Sequence, residues 1–143
     1  MKIIVQLSSL LLLFLSGCIS SDKKADATPE DDLDAARNFI RAALDGDYAK
    51  ARTFLLADSM NTEYMNLSER KFNQTMTPEV KTGYKKASIN IHEVKNINDS
   101  TSVISYSNSY FKKDTQHLKV VKLNNKWLVD FKYYFETKKD SLP

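Results

Sequence analysis

The sequence has little of the residue types that mark several common kinds of functional site. It contains one cysteine, so it cannot form an internal disulfide, and only three glycines, which leaves no glycine-rich loop for phosphates. Its two histidines, His92 at the end of the first predicted strand and His117 next to the third, have no clustered carboxylate, whereas a zinc site needs closely spaced ligands. We therefore expect no disulfide scaffold, no phosphate-binding loop, no metal site and no cofactor.

An excess of charge of one sign is also lacking. The formal net charge is +3, and it falls by one if Lys2 is removed with an N-terminal signal. Binding to nucleic acid would call for a clustered basic face. The pairs Lys112-Lys113 and Lys138-Lys139 are short, and we interpret them as solvated ends of strands. The composition is that of an ordinary globular domain, and we expect no nucleic-acid partner.

The longest predominantly apolar segment lies at the N-terminus, over residues 3–15. Its length fits the apolar part of a signal peptide, whereas a helix that crosses a bilayer needs about 20 residues. The residues that follow, Leu15-Ser16-Gly17-Cys18, resemble the lipobox of bacterial lipoprotein signals. Two alternatives stay open at this point, an ordinary secretory signal with an incidental cysteine and a short anchor that is never cleaved.

The lipobox resemblance implies a modified N-terminus at Cys18. In such proteins the cysteine receives a thioether-linked diacylglycerol, the chain is cut before it, and the new amine is acylated. Residues 1–17 would then be the signal peptide, and residues 18–28 a lipidated N-terminus and tether. Ile19, rather than Asp, follows the cysteine, which by the sorting rule of enteric bacteria implies the outer membrane. The expected partner is a bacterial cell-envelope membrane, bound through covalent lipid.

Residues 29–138 are predicted to form a single domain, with residues 139–143 as a tail. Thr28-Pro29 has the N-cap and proline pattern of a helix start, and Gly46 is placed to end that helix in a left-handed conformation. Asp47 can cap a second short helix. Asp58 or Ser59 can cap a third, which would run to about residue 76. A similar cap and proline at residues 77–78 predict a fourth helix of one or two turns.

After Gly83 the period of the apolar residues changes from helical to alternating. Four strands are predicted at residues 88–92, 103–111, 118–123 and 127–135, with Asn124-Asn125 as a two-residue hairpin turn. In the last strand one face carries Trp127, Val129, Phe131, Tyr133 and Phe135. The simplest way to bury that face is an α+β domain in which N-terminal helices pack on a curled four-stranded antiparallel sheet.

Three segments together resemble a family. Residues 39–51, with the Gly46-Asp47 corner, and the later segments 120–123 and 126–130 are similar to lipoproteins of domain of unknown function family 4878. That family belongs to the nuclear-transport-factor-2-like, or cystatin-like, superfamily of cone-shaped domains. The resemblance implies a cone whose mouth would be formed largely by residues 61–83.

The cone superfamily includes enzymes such as ketosteroid isomerases and dehydratases, which place acids, histidines or tyrosines inside the cavity. His92, Tyr106 and Tyr110 are the candidate cavity-lining residues here, and Asp130 is a candidate acid. Asp130 lies on the opposite strand face from Trp127, so we expect it to point to solvent and expect no catalytic residue. The leading hypothesis is a non-catalytic domain that binds a small ligand or another envelope protein. A small isomerase- or dehydratase-like enzyme and a structural component of an envelope complex are the alternatives.

Overall fold

The computed structural model describes residues 28–140, with side chains described as far as residue 137. The predicted signal, Cys18 and the tether to residue 27 lie outside the described residues, as do residues 141–143. In the described part, four helices precede four strands, and one helix follows them. The elements are α1 (Asp32–Asp45), α2 (Tyr48–Thr53), α3 (Ser59–Thr75), α4 (Pro78–Lys86), β1 (Ile89–Asn98), β2 (Thr101–Asn108), β3 (Gln116–Leu123), β4 (Lys126–Asp130) and α5 (Lys132–Asp140).

Both ends of α1 are fixed by residues suited to them. The Asp31 carboxylate accepts the backbone N–H of Asp34 at 2.7 Å, as an N-cap does. The predicted cap at Thr28 is therefore wrong, because the chain turns into the helix only after Asp31. At the other end Gly46 has φ 76°, which confirms the left-handed residue predicted there. A Cβ at Gly46 would lie 2.5 Å from the Phe72 ring.

Side-chain caps also begin the next three helices. Asp47, Asp58 and Thr77 each accept the backbone N–H of the residue three positions ahead, which confirms the predicted starts of α2, α3 and α4. Helix α4 continues past Gly83 to Lys86, so Gly83 does not end it. Each cap satisfies a backbone N–H that has no partner within its own helix.

The sheet has the order β1-β2-β3-β4, and every neighbouring pair is antiparallel. Asn124 and Asn125 have φ values of 50° and 60°, which confirms the predicted hairpin turn between β3 and β4. Strand β1 is longer than predicted, and it is interrupted by a bulge between Ile91 and Glu93. The bulge bends the strand and increases its twist, which is consistent with the curl of the sheet.

The predicted last strand is only half right. Strand β4 ends at Asp130, and α5 begins at Lys132, so residues 132–135 are helical rather than extended. The spacing of three aromatic residues explains why this segment is helical. Phe131, Tyr134 and Phe135 fall at positions i, i+3 and i+4, which share one face of a helix, and the Phe131 ring centroid lies 5.2 Å from that of Phe135.

The core lies between α1 and the concave face of the sheet. Helix α1 contacts all four strands, with Phe39 and Ile40 buried against apolar side chains of β2, β3 and β4. Burying each large apolar side chain of this kind contributes about 1.5 to 3 kcal/mol. The predicted class is confirmed: N-terminal helices pack on a curled four-stranded antiparallel sheet. No helix within residues 28–140 is both long and apolar enough to cross a membrane.

Candidate functional site

A cavity of about 400 Å³ lies between α1, α3, α5 and the concave face of the sheet. Its volume falls within the range of small-molecule sites. Most of its wall is apolar and comes from separate parts of the chain, including Phe39, Leu44, Met65, Phe72, Phe131 and Phe135. The cavity can therefore take up a small apolar molecule and remove its surface from water.

Tyrosines supply hydrogen-bonding groups in this apolar wall. The buried Tyr106 hydroxyl donates a hydrogen bond of 2.6 Å to the Gln116 side-chain oxygen. Burial raises the pKa of Tyr106, and it also raises that of Tyr84. Burial, with a smaller effect of nearby Glu69, raises the pKa of Tyr48 to about 12. All three tyrosines line the cavity, and their hydroxyls stay protonated near neutral pH.

Aromatic contacts hold α5 against this cavity. The Phe131 ring centroid lies 5.2 Å from that of Phe39 on α1, and the Phe135 ring stacks on Tyr64 of α3 with centroids 4.1 Å apart. Such pairs add stabilisation beyond the area that they bury. Because Phe39, Phe131 and Phe135 line the cavity, the position of α5 sets the shape of the wall.

The three predicted cavity-lining residues lie in different places. Tyr106 is in the cavity wall. The His92 side chain is exposed at the bulge of β1, where its Nε2 and the Ser107 hydroxyl are 2.8 Å apart. Tyr110 is 43% exposed and packs beside Tyr84. Only Tyr106 of the three is thus placed to touch a bound molecule.

The expectation that Asp130 points to solvent is wrong. The residue is 3% exposed, and its carboxylate contacts the ammonium groups of Lys119 and Lys132, each at 3.0 Å, and the Asn61 amide nitrogen at 3.1 Å. The side chain is on the face opposite Val129, as the alternation predicts. That face is covered because α5 begins there, and the two lysines neutralise the charge that is buried.

A polar network around Asn61 joins the start of α3 to the junction of β4 and α5. The Asn61 side chain donates to Asp58 and Asp130 and accepts the backbone N–H of Lys132 at 2.7 Å. The backbone N–H of Asn61 and then the Lys132 side chain lower the pKa of Asp58. Burial alone would raise the pKa of Asp130, but hydrogen bonds from Lys132, Lys119 and Asn61 outweigh it and lower the pKa. Both carboxylates are therefore ionised near neutral pH.

A second, more polar groove of about 640 Å³ lies between the convex face of the sheet and α5. There the Ser105 hydroxyl and His117 Nδ1 are 2.9 Å apart, and Glu93 and Asp114 are among the lining residues. Within the described residues, no group of three or more histidine, cysteine or acidic side chains is arranged to hold a metal ion. The groove is open and carries side chains that hydrogen-bond across neighbouring strands.

Sequence reasoning missed the contribution of α5 to the cavity. Phe131, Tyr134 and Phe135 were assigned to a strand, whereas all three line the cavity wall. The i, i+3, i+4 spacing of these rings was the available signal, and it competed with an equally good alternation from Trp127 onward. The contributions of Tyr48 and Phe72 depend on how α2 and α3 fold back, which local spacing does not contain.

No family model matches this sequence, and no curated protein matches it. Among solved structures, the chain is similar to an NTF-2-like protein of unknown function from Shewanella oneidensis MR-1, with 15% identity over 68% of this chain and 89% of that one and a TM-score of 0.49. It is also similar to a proposed NTF2-like transpeptidase from Campylobacter jejuni, with 19% identity over 68% and 94% of the two chains and a TM-score of 0.44.

Proposed function

We propose that this protein is a lipid-anchored component of a bacterial cell envelope and binds a small, largely apolar molecule in the cavity without transforming it. The observation that carries the binding role is the cavity itself. It holds about 400 Å³ between apolar and aromatic side chains, with Tyr106 and Gln116 in its wall. A ligand with an apolar body and one hydroxyl or carbonyl group suits such a lining.

The chemistry of the lining supports binding without catalysis. A general base must accept a proton near the working pH, whereas burial raises the pKa of Tyr106 and keeps its hydroxyl protonated. His92 is exposed at the sheet edge, and Asp130 is paired with two lysines on the opposite sheet face. An isomerase- or dehydratase-like activity would need one of these groups at the ligand.

A fluorescent apolar probe tests binding in the cavity. We expect N-phenyl-1-naphthylamine to become brighter when it binds the protein. Ala43 lines the cavity, so Ala43→Leu should weaken probe binding by about tenfold, or about 1.4 kcal/mol. Ala49 is exposed on α2, and Ala49→Leu is the matched control that should leave binding unchanged. Equal binding by both variants would contradict the proposal, provided that both unfold at the same urea concentration as the parent.

The anchor is proposed from the lipobox-like residues that end at Cys18. One acyl chain holds a protein only marginally, whereas the several chains implied here would give stable attachment. The full chain, expressed in a bacterium with lipoprotein processing, should fractionate with membranes and carry a diacylglycerol-sized mass increment on Cys18. Cys18→Ala should abolish the increment. An unmodified Cys18 in the membrane fraction would refute the anchor and leave the cavity proposal unaffected.

A further inference from the structure

An exposed group of aromatic and basic side chains lies where α4 ends and the β2–β3 connection begins. The rings of Tyr84, Tyr110 and Phe111 pack on one another, with centroids between 4.8 and 5.6 Å apart. Tyr110 is 43% exposed and Phe111 46% exposed. We call this the aromatic–lysine patch; it consists of Tyr84, Tyr110, Phe111, Lys85, Lys86, Lys112 and Lys113.

The backbone under the patch is firmly held. The Arg41 side chain on α1 donates to the backbone carbonyls of Tyr84, Lys85 and Ala87 at 2.7 to 3.2 Å. The Asn108 side-chain oxygen accepts the backbone N–H groups of Tyr110 and Phe111 in the β2–β3 connection. The aromatic rings are thus exposed on a fixed support, in contrast to loop-tip side chains with no backbone constraint.

The charge around the rings is positive. All four patch lysines are exposed, and within residues 28–137 none of them forms an ion pair. The carboxylate that follows them, Asp114, accepts a hydrogen bond from Gln116 at 3.3 Å. Exposed aromatic rings bordered by lysines are the combination that favours the interface of a bilayer, where rings enter the headgroup region and ammonium groups attract anionic lipid.

The patch also lies within reach of the proposed anchor. From Asp31 to Arg41, helix α1 advances about 15 Å. The ten peptide links from Cys18 to Thr28 can reach at most about 35 Å. A membrane that holds the lipid at Cys18 can therefore also meet the patch.

We propose that the aromatic–lysine patch binds the surface of a bilayer that contains anionic lipid and lays the domain against the membrane. This contact goes beyond the proposed function, since it requires neither a cavity ligand nor the covalent lipid. It has one consequence for the cavity. Tyr84 belongs both to the patch and to the cavity wall, so a docked domain would place the cavity next to the lipid from which an apolar ligand could enter.

Vesicle binding of the chain without its lipid tests the proposal. Residues 18–143 with Cys18→Ser should sediment with vesicles of phosphatidylcholine and phosphatidylglycerol, and not with phosphatidylcholine alone. Lys112→Gln with Lys113→Gln should reduce the partition coefficient by about twentyfold, since each lysine near an anionic surface contributes roughly fivefold. Phe111→Ser should also reduce it, because the ring no longer enters the interface.

The matched control removes two lysines beside the β3–β4 hairpin, away from the aromatic–lysine patch. Lys122 and Lys126 are exposed beside the β3–β4 hairpin. Lys122 is about 20 Å along β3 from Gln116, where the connection that carries Lys112 and Lys113 ends, and this exceeds the screening length of about 10 Å in ordinary buffer. Lys122→Gln with Lys126→Gln should leave binding nearly unchanged. Equal losses in the two double variants, or no binding by the parent, would overturn the proposal. So would a dimer in the absence of vesicles that Phe111→Ser dissociates, because the patch would then bind a second copy.

Discussion

Replacing Asn61 by alanine is expected to lower the free energy of unfolding by about 3 to 4 kcal/mol. The side chain is completely buried and makes three hydrogen bonds, two to the carboxylates of Asp58 and Asp130 and one from the backbone N–H of Lys132. A neutral hydrogen bond contributes about 1 kcal/mol, and one to a charged group about 1.5 to 3 kcal/mol. The sum is reduced by relaxation and by the higher helix propensity of alanine, which is worth about 0.5 kcal/mol.

Asn73→Ala is the matched control on the same helix. Asn73 is exposed near the end of α3, so this change should alter stability by at most about 0.5 kcal/mol. Urea denaturation followed by circular dichroism measures both variants, with an unchanged slope showing that the same surface is exposed on unfolding. A loss below about 1 kcal/mol for Asn61→Ala, or a loss equal to that of Asn73→Ala, would refute the view that this network fastens α5 to the domain.

Three further predictions concern stability. The Asp130 carboxylate, whose pKa is lowered in the folded protein, contributes stability above the unfolded-state pKa of about 3.9. This stability is lost as the pH falls through the folded-state pKa. Urea midpoints measured from pH 7 to pH 2 should therefore fall less steeply for Asp130→Asn than for the parent. Gly46→Ala should cost at least about 1 to 2 kcal/mol, because φ is 76° and the new Cβ would meet the Phe72 ring at 2.5 Å; an unchanged melting temperature would contradict this. Asn125→Gly should be neutral or stabilising, whereas Asn125→Ala should cost about 1 kcal/mol because φ is 60°. Equal melting temperatures for the two variants would contradict a positive φ at this position of the hairpin turn.

The starts of α2, α3 and α4 were predictable because short-range chemistry determines them. Asp47, Asp58 and Thr77 each cap the helix that follows, and Gly46 takes the left-handed conformation that its place after a helical stripe indicates. The Asn124-Asn125 hairpin was predictable for the same reason, since both residues tolerate positive φ. In each case the signal and the structure that it specifies lie within a few residues of each other.

The end of the sheet was not predictable from local pattern, because two periods fit the same residues. Alternation from Trp127 to Phe135 predicts a strand, while Phe131 and Phe135 also share a helical face, and contacts with Phe39 and Tyr64 decide in favour of the helix. The same error hid part of the cavity wall. It also led to the wrong expectation for Asp130, whose carboxylate is covered by the start of α5 and by Asn61 of α3.

The most direct test of the central claim is a crystal structure of the protein with N-phenyl-1-naphthylamine. The account predicts the probe inside the cavity, in contact with Phe39 on α1 and Phe72 on α3 and near the Tyr106 hydroxyl. A cavity without the probe, in a crystal where the probe instead lies on the exposed rings of Tyr110 and Phe111, would contradict it. The proposed binding role would then have to be abandoned.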